Sequence, residues 1–267
     1  MKEKGKFGQI HIYDFGGKRW LRNSQNIQAA TNLSPSSHIV HPDLPCGPGP
    51  VQGCTYTLGW LVVGASYSIG FGIVLGLGGA EGIVSLLFNF PNLHLTVIDI
   101  DPTIVDMVRK SFPLVKWYEQ QGRLTIHIAA AENFFQSGPK SYDFAIFDLD
   151  DASPGIHSLL QSDSFLLPLK RSSNSIWFNL LSRIERSDTQ EFFKRLHSLG
   201  FGDLSVFSCQ PRTMNLIVGN ELQNSNYKQF VPFKDLDDPA VQEIRLRYKS
   251  FINTISYVPE SPDRIKL

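Results

Sequence analysis

The sequence predicts an α/β fold in which a Rossmann-like, mainly parallel sheet follows a small antiparallel β domain. From residue 72 onward, apolar runs of strand length alternate with amphipathic helical runs, which is typical of βαβ units in a doubly wound sheet. In roughly the first 50 residues, short alternating runs are separated by Gly-Gly and polar turns, which indicates β-hairpins. Proline and glycine cluster in residues 41–54. We therefore expect a β-hairpin domain with its linker over residues 1–55 and a Rossmann-like domain over residues 56–267.

The hairpin strands are predicted in the runs GQIHIYDF and KRWLRNSQNIQAAT. A stretch without any charged residue then extends from Leu44 to Ala80. Seven of the 21 residues from Gly59 to Gly79 are glycine, which favours a helix (Thr55 to Ala65), a turn and a buried strand (Gly72 to Leu77). The alternative is a membrane-spanning helix, which the length allows but the composition disfavours.

The later elements alternate along the chain. Strands are predicted in GIVLGL, HLTVIDI, RLTIHIA, YDFAIFDL, SSNSIWFNLL, DLSVFS and TMNLIVG, and helices in EGIVSLLFNF, PTIVDMVRKSF, AENFF, DTQEFFKRLHSLG and PAVQEIRLRYKSFINTI. Asp101 followed by Pro102 is a favourable helix start, because aspartate accepts the N-cap hydrogen bond and proline fits the first helical position.

The overall charge favours no class of polyanionic partner. Lys plus Arg and Asp plus Glu both number 25, so we expect neither nucleic acid nor membrane as a partner, and any charge-based recognition must be local. Three cysteines and a polar first segment without an apolar signal core indicate a cytoplasmic protein without a disulfide framework.

Two of the predicted strands end in residues suited to a nucleoside. In an open parallel sheet, ligands bind at the carboxyl ends of the strands. Gly76, Gly78 and Gly79 end the first of these strands, where glycine permits a tight turn and close approach of a ligand, although close packing alone would also explain them. Asp99 ends the next strand and can accept both hydroxyls of a ribose. We expect Asp101 to cap the following helix, which leaves Asp99 free; the pattern does not separate dinucleotides from S-adenosyl compounds.

A third strand runs into an acidic loop that contains Asp148, Asp150 and Asp151. Neighbouring carboxylates repel one another and raise the pKa of at least one of them, a cost that a cationic ligand or a proton-transfer role would offset. A cationic amine is the expected counterpart; a Mg²⁺ site and a solvated acidic turn are the alternatives.

The order of these parts resembles the spermidine synthase family of aminopropyltransferases, from roughly residue 18 to the C-terminus. The resemblance implies a class I methyltransferase-like fold behind the N-terminal β domain, and usually a homodimer. YDFAIFDLDD is similar to the family's Asp-x-x-Asp strand and loop, which implies that Asp148 is the catalytic base and that Asp151, with Asp150, holds the amine.

The resemblance also assigns donor and acceptor contacts outside that loop. Gly76 and Gly78 match the family's glycine loop, and Asp99 matches its ribose-binding acid. In the N-terminal part, Gln28 falls on the hairpin glutamine and His38 on the histidine of a Tyr-His-Glu motif. The implied reaction moves an aminopropyl group from a decarboxylated S-adenosylmethionine-type co-substrate to an amine, with no tightly bound cofactor.

Three departures from the family pattern keep other functions open. Gly79 stands where the family has an aspartate, with Glu81 displaced by two positions, and Ala129-Ala130-Ala131 replaces Gly-Asp-Gly at the adenine. The polyamine loop before the last strand is shortened to residues 210–213. The donor could therefore be intact S-adenosylmethionine, which would make the protein a methyltransferase or another sulfonium-displacing enzyme. A degenerate, non-catalytic binding module is the third possibility.

Other histidines and cysteines of the chain do not form a pattern that predicts a site. His38, His41, Cys46 and Cys54 match no compact zinc finger, so no metal site is expected. His127, on a predicted central strand, and His157, after the acidic loop, are expected to be structural.

Overall fold

The computed structural model describes most of the chain. The described residues are 1–16, 18–23, 26–32, 55–66, 70–136, 141–149, 155–180, 182, 186–201, 204–210, 213–219, 226–234, 239–253 and 255–258. His38, His41, Cys46, Cys54, Asp150 and Asp151 lie outside this set.

The N-terminal part is a four-stranded antiparallel sheet, as the hairpin pattern predicted. Its strands lie in the order β1 (Lys2–Gly5), β2 (Gly8–Phe15), β3 (Lys18–Asn23) and β4 (Asn26–Asn32). Ile10, Ile12 and Leu21 on one face of this sheet are buried in the core of the larger domain. The placement of the domain boundary at residue 55 stays a prediction.

The second sheet has eight strands in the order β12-β10-β11-β9-β8-β5-β6-β7. Their bounds are β5 Gly70–Leu75, β6 Leu93–Asp99, β7 Leu124–Ile128, β8 Tyr142–Phe147, β9 Ser173–Leu180, β10 Leu204–Gln210, β11 Thr213–Gly219 and β12 Ile255–Val258. β9, β8, β5, β6 and β7 pair in parallel, and β11, β10 and β12 add an antiparallel edge. The predicted Rossmann-like, class I methyltransferase-like α/β fold is confirmed.

Helices cover both faces of this sheet. They are α1 Thr55–Ser66, α2 Glu81–Asn89, α3 Pro102–Ser111, α4 Pro113–Gln120, α5 Ala131–Gln136, α6 Asp163–Ser172, α7 Ser187–Ser198, α8 Asn226–Gln229 and α9 Pro239–Ile252, with a 3₁₀ turn over Ser158–Gln161. The predicted start of α3 is confirmed, because Asp101 is its N-cap and accepts a hydrogen bond from the Thr103 N–H at 2.9 Å.

The core consists of two apolar layers, one on each face of the sheet. Val74 and Ile146 face the layer that contains residues of α1 to α4 and α9, whereas Ile73 and Ala145 face the layer that contains residues of α5 to α7. This alternation explains why the strands are apolar on both faces, as buried parallel strands require. The described part of α1 is buried within the first layer, and in the part of the chain that the structure describes no helix is long and apolar enough to span a bilayer.

Two polar contacts attach the N-terminal sheet to the larger domain. Asp101 accepts a second hydrogen bond, from the Lys6 N–H in the β1–β2 turn, at 2.6 Å. Arg19 donates to the Ser111 carbonyl at the end of α3 at 2.6 Å and forms a salt bridge with Asp14. Both contacts lie at α3, which therefore positions the small sheet.

Candidate active site

The carboxyl ends of four parallel strands meet at one edge of the sheet, and backbone hydrogen bonds hold them in register. The Gly76 N–H donates to the Ile98 carbonyl at 2.8 Å, and the Asp148 N–H donates to the Leu75 carbonyl at 2.9 Å. The Ala129 N–H donates to the Asp99 carbonyl at 2.9 Å. The glycine turn, Asp99, the alanine segment and Asp148, which are far apart in sequence, are thus adjacent in space.

The glycine turn touches the strand end that carries Asp148. Gly76 has a φ of 104°, and a β-carbon at this position would lie 2.3 Å from the Asp148 carbonyl oxygen. Gly78 has a φ of 48°, but a β-carbon there would meet no atom of the described residues within 4 Å. Gly76 is therefore required for close packing against β8, whereas the described residues leave space beside the backbone of Gly78 into which a ligand can fit.

Asp99 is more constrained than the sequence suggested. Its carboxylate accepts hydrogen bonds from the Leu77 N–H at 2.9 Å and from the Asp101 N–H at 2.8 Å, and its side chain is buried. Burial raises the pKa of the Asp99 carboxyl above its usual range, and the two N–H donors partly oppose that rise. The expectation that Asp99 is free is wrong, because the acid braces the glycine turn against β6. Contact with a ribose would use its remaining lone pairs.

Asp148 follows β8 directly and is held by a side chain that the sequence analysis missed. Asn179, near the end of β9, donates from Nδ2 to Asp148 Oδ1 at 2.6 Å. Both side chains are partly buried. The available signal was a single amide side chain within the apolar run IWFNLL, near the carboxyl end of the strand beside the one that carries the acid.

The segment with this geometry matches a known family. Residues 70–171 match the family model described as the spermine/spermidine synthase domain. The match includes the glycine turn, Asp99, Asp148 and the acidic loop, and it confirms the predicted resemblance.

Curated relatives also match a part of this chain. The eEF1A lysine and N-terminal methyltransferase of Mus musculus is 29% identical over 86 residues, which is 31% of this chain and 12% of that protein. The corresponding Xenopus laevis protein is 30% identical over 90 residues, which is 32% of this chain and 12% of that protein. The matched segment thus spans about an eighth of the length of these relatives.

Solved structures share the fold at low sequence identity. A probable spermidine synthase from Corynebacterium glutamicum superposes with a TM-score of 0.65 at 13% identity, covering 92% of this chain and 93% of that chain. A spermidine synthase in complex with the transition state analogue AdoDATO gives a TM-score of 0.61 at 11% identity, and the superposition covers 89% of this chain and 76% of that chain. Human methyltransferase-like protein 13 in complex with SAH gives a TM-score of 0.51 at 18% identity, and the superposition covers 74% of this chain and 90% of that chain. These relatives and neighbours are transferases, and the fold is class I methyltransferase-like.

Some of the predicted site residues cannot be placed at this edge of the sheet. Asp150, Asp151 and His38 lie outside the described residues, so their predicted roles and the mutual repulsion of the three acids stay predictions. Gln28 lies in the backbone of β4, and its side chain is not described.

The backbone of the segment that is expected at the adenine leads into α5. Ala130 immediately precedes α5 and accepts a hydrogen bond from the Phe134 N–H at 3.1 Å, while Ala131 begins the helix and is buried.

Glu81, the acid nearest in sequence to the missing family aspartate, is 2% exposed at the start of α2. Because it is enclosed by the protein, Glu81 does not substitute for an acid that faces a ligand.

The two histidines have local structural surroundings. His157 Nδ1 accepts from the Leu159 N–H at 3.1 Å, and its ring packs against Phe147 with centroids 5.3 Å apart. His127 lies on β7, which is the edge strand of the sheet, so its expected central position is wrong. The described residues contain no group of three or more His, Cys, Asp or Glu that could hold a metal ion.

Proposed function

We propose that this protein transfers an aminopropyl group from a decarboxylated S-adenosylmethionine-type donor to an amine acceptor, with Asp148 as the general base. One observation carries the proposal: Asp148 directly follows β8, and its main-chain carbonyl lies immediately beside the glycine turn at Gly76. A nucleoside bound over the glycine turn would therefore place its sulfonium side chain near a proton acceptor.

The chemistry requires a base at this position. The acceptor amine is protonated near neutral pH and has no lone pair for attack until Asp148 removes a proton. The amine nitrogen then forms a bond with the methylene carbon beside the sulfonium, the carbon–sulfur bond breaks, and the electron pair returns to sulfur as a neutral thioether. Holding the two reactants in line supplies much of the rate enhancement.

Asn179 supports this role by fixing the carboxylate. An amide N–H can bond Oδ1 only as a donor, so the contact at 2.6 Å favours the ionised, proton-accepting form of Asp148 in one orientation. Asp150 and Asp151 would add negative charge that attracts the amine, and Gln28 and His38 would complete the donor and acceptor contacts from the N-terminal side.

Methyl transfer from intact S-adenosylmethionine is the second candidate, and two observations favour it. The curated relatives are methyltransferases. Gly79 stands where the spermidine synthase family has an acid, and Glu81, the next acid along the sequence, is enclosed by the protein. Without that acid, the donor's own carboxylate would meet less repulsion.

Calorimetric titration with both nucleosides separates these candidates. We expect the decarboxylated donor to bind at least tenfold tighter than S-adenosylmethionine, and Asp148→Asn to abolish transfer while donor affinity stays within about twofold, because the amide cannot accept the proton. The matched control is Asp106→Asn, an exposed acid on α3.

Three outcomes would contradict the proposal. A clear preference for the intact amino acid form would replace aminopropyl transfer with methyl transfer. Loss of donor binding in Asp148→Asn would make Asp148 a donor-binding or structural residue. Failure to bind any adenosyl compound would indicate a non-catalytic binding module. A cytoplasmic location and a homodimer, both expected from the sequence, belong to the proposal as well.

A further inference from the structure

One face of the N-terminal sheet points away from the larger domain. Paired residues of antiparallel strands lie on the same face, and successive residues alternate between faces. The register pairs Lys2 with His11, His11 with Arg22, and Tyr13 with Trp20, so these side chains share one face. Ile10, Ile12 and Leu21 lie on the opposite face, in the core. We call the first set, together with Lys4 and Phe15, the outer face.

The outer face carries positive charge only. Lys2, Lys4 and Arg22 are exposed, and no acidic residue belongs to this face among the side chains that the structure describes. Glu3 and Asp14 are paired with Ile10 and Arg19, on the opposite face. The balanced charge of the whole chain, which predicted no nucleic-acid partner, therefore conceals a local excess of positive charge.

The same face exposes aromatic rings at the spacing of alternate strand residues. Phe15 is 74% exposed and Tyr13 is 40% exposed, although large aromatic side chains usually gain free energy from burial. The two residues lie about 7 Å apart along β2, since a strand rises about 3.4 Å per residue. Trp20 lies across from Tyr13 and donates from Nε1 to the Phe15 carbonyl at 3.0 Å, which fixes its ring beside the other two.

We infer that the outer face binds single-stranded nucleic acid. Lysine and arginine neutralise phosphates, while aromatic rings stack unpaired bases, and four-stranded antiparallel sheets bind RNA through such rings. A second copy of this chain is a poor occupant, because a two-fold contact through this face would bring like charges together. A duplex is also a poor ligand, since its bases are not available for stacking.

Fluorescence anisotropy of the full chain with labelled RNA and DNA of about 12 nucleotides tests the inference. We expect the single strands to bind with an affinity that falls as the salt concentration rises. A plot of the logarithm of the association constant against the logarithm of the salt concentration should have a slope of about −2, because three cations contact phosphates. A duplex of the same length should bind at least fivefold more weakly. The RNA and DNA probes distinguish the two kinds of strand.

Two pairs of variants separate stacking from charge. Tyr13→Ala with Phe15→Ala should weaken binding at least tenfold, whereas Phe71→Ala, which removes a ring that is 60% exposed on β5, should change it less than twofold. Lys2→Ala with Lys4→Ala should reduce the salt slope by about 1.4. The same number of exposed lysines removed from helices, as Lys110→Ala with Lys116→Ala, should leave the slope unchanged.

Several results would overturn the inference. The first is that no single strand binds at about 100 µM protein and low salt. The second is that the aromatic variants bind single strands as tightly as the unsubstituted protein, and the third is that the duplex binds more tightly than the single strands. A change of solution mass on Tyr13→Ala with Phe15→Ala, without nucleic-acid binding, would identify a contact between copies instead. Cosedimentation with phosphatidylserine vesicles but not with oligonucleotides would identify a membrane surface. None of these results depends on transferase activity, so the proposed function is tested separately.

Discussion

The contact between the glycine turn and Asp148 can be tested by adding a single methyl group at Gly76. In Gly76→Ala, the β-carbon would lie 2.3 Å from a backbone oxygen, and the φ of 104° is one that L-residues rarely adopt. Backbone strain costs about 1–3 kcal/mol, and inserting a methyl group into a packed contact costs about 1–3 kcal/mol more. We therefore expect the free energy of unfolding to fall by about 4 kcal/mol.

Gly78→Ala is a matched control two residues away. Its φ of 48° lies in the left-handed region, but the added β-carbon would meet no atom within 4 Å in the part of the chain that the structure describes. Only the backbone cost remains, about 1 kcal/mol. Urea unfolding followed by far-UV circular dichroism, with the slope of the transition held in common, would measure both losses.

The difference between the two variants, about 3 kcal/mol, isolates the close approach of the turn to β8. If Gly76→Ala and Gly78→Ala lose equal stability, the turn does not pack against Asp148, and the glycine turn and Asp148 do not form one site. The free energy of unfolding of a typical domain is about 5–15 kcal/mol, so a domain of this stability would still fold after the larger loss.

Three further perturbations test other contacts. Asp101→Ala should lower the free energy of unfolding by about 2 kcal/mol, because it removes the α3 cap and the acceptor for the β1–β2 turn. The Arg19 guanidinium holds the pKa of Asp14 below its ordinary value of 3.8, so the stability from this pair is complete above that pH and is lost as pH falls below it. When melting temperatures are measured from pH 6 to pH 3, the melting temperature of Arg19→Met should decrease less than that of the unsubstituted protein. Asn179→Asp places two carboxylates together, so this variant should gain thermal stability relative to the unsubstituted protein as pH falls from 8 to 5.

Each of these perturbations has its own contradicting result. A loss in Asp101→Ala no larger than in Asp106→Ala, where the acid is exposed, would mean that the bridge from α3 to the N-terminal sheet carries no stability. Equal acid-induced decreases with and without Arg19 would mean that the salt bridge does not contribute. An Asn179→Asp variant with no pH-dependent gain would place the two side chains farther apart than a hydrogen bond.

The sequence by itself was sufficient for features set by local pattern. Continuous apolar runs of strand length predicted the strands of the parallel sheet, because buried strands must be apolar on both faces. Asp101 with Pro102 gave the start of α3, since capping depends only on neighbouring backbone groups. The positions of Asp99 and Asp148 at strand ends followed from the same pattern.

The tertiary structure decided what these residues contact. Asp99 was expected to be free, yet the turn after β5 places the Leu77 N–H against it. His127 was expected on a central strand, but the order of strands puts β7 at the edge. Asn179 meets Asp148 only because β9 pairs with β8 in parallel. Periodicity records which face of an element is buried, whereas strand order and register depend on contacts between residues far apart in the chain, which no local pattern contains.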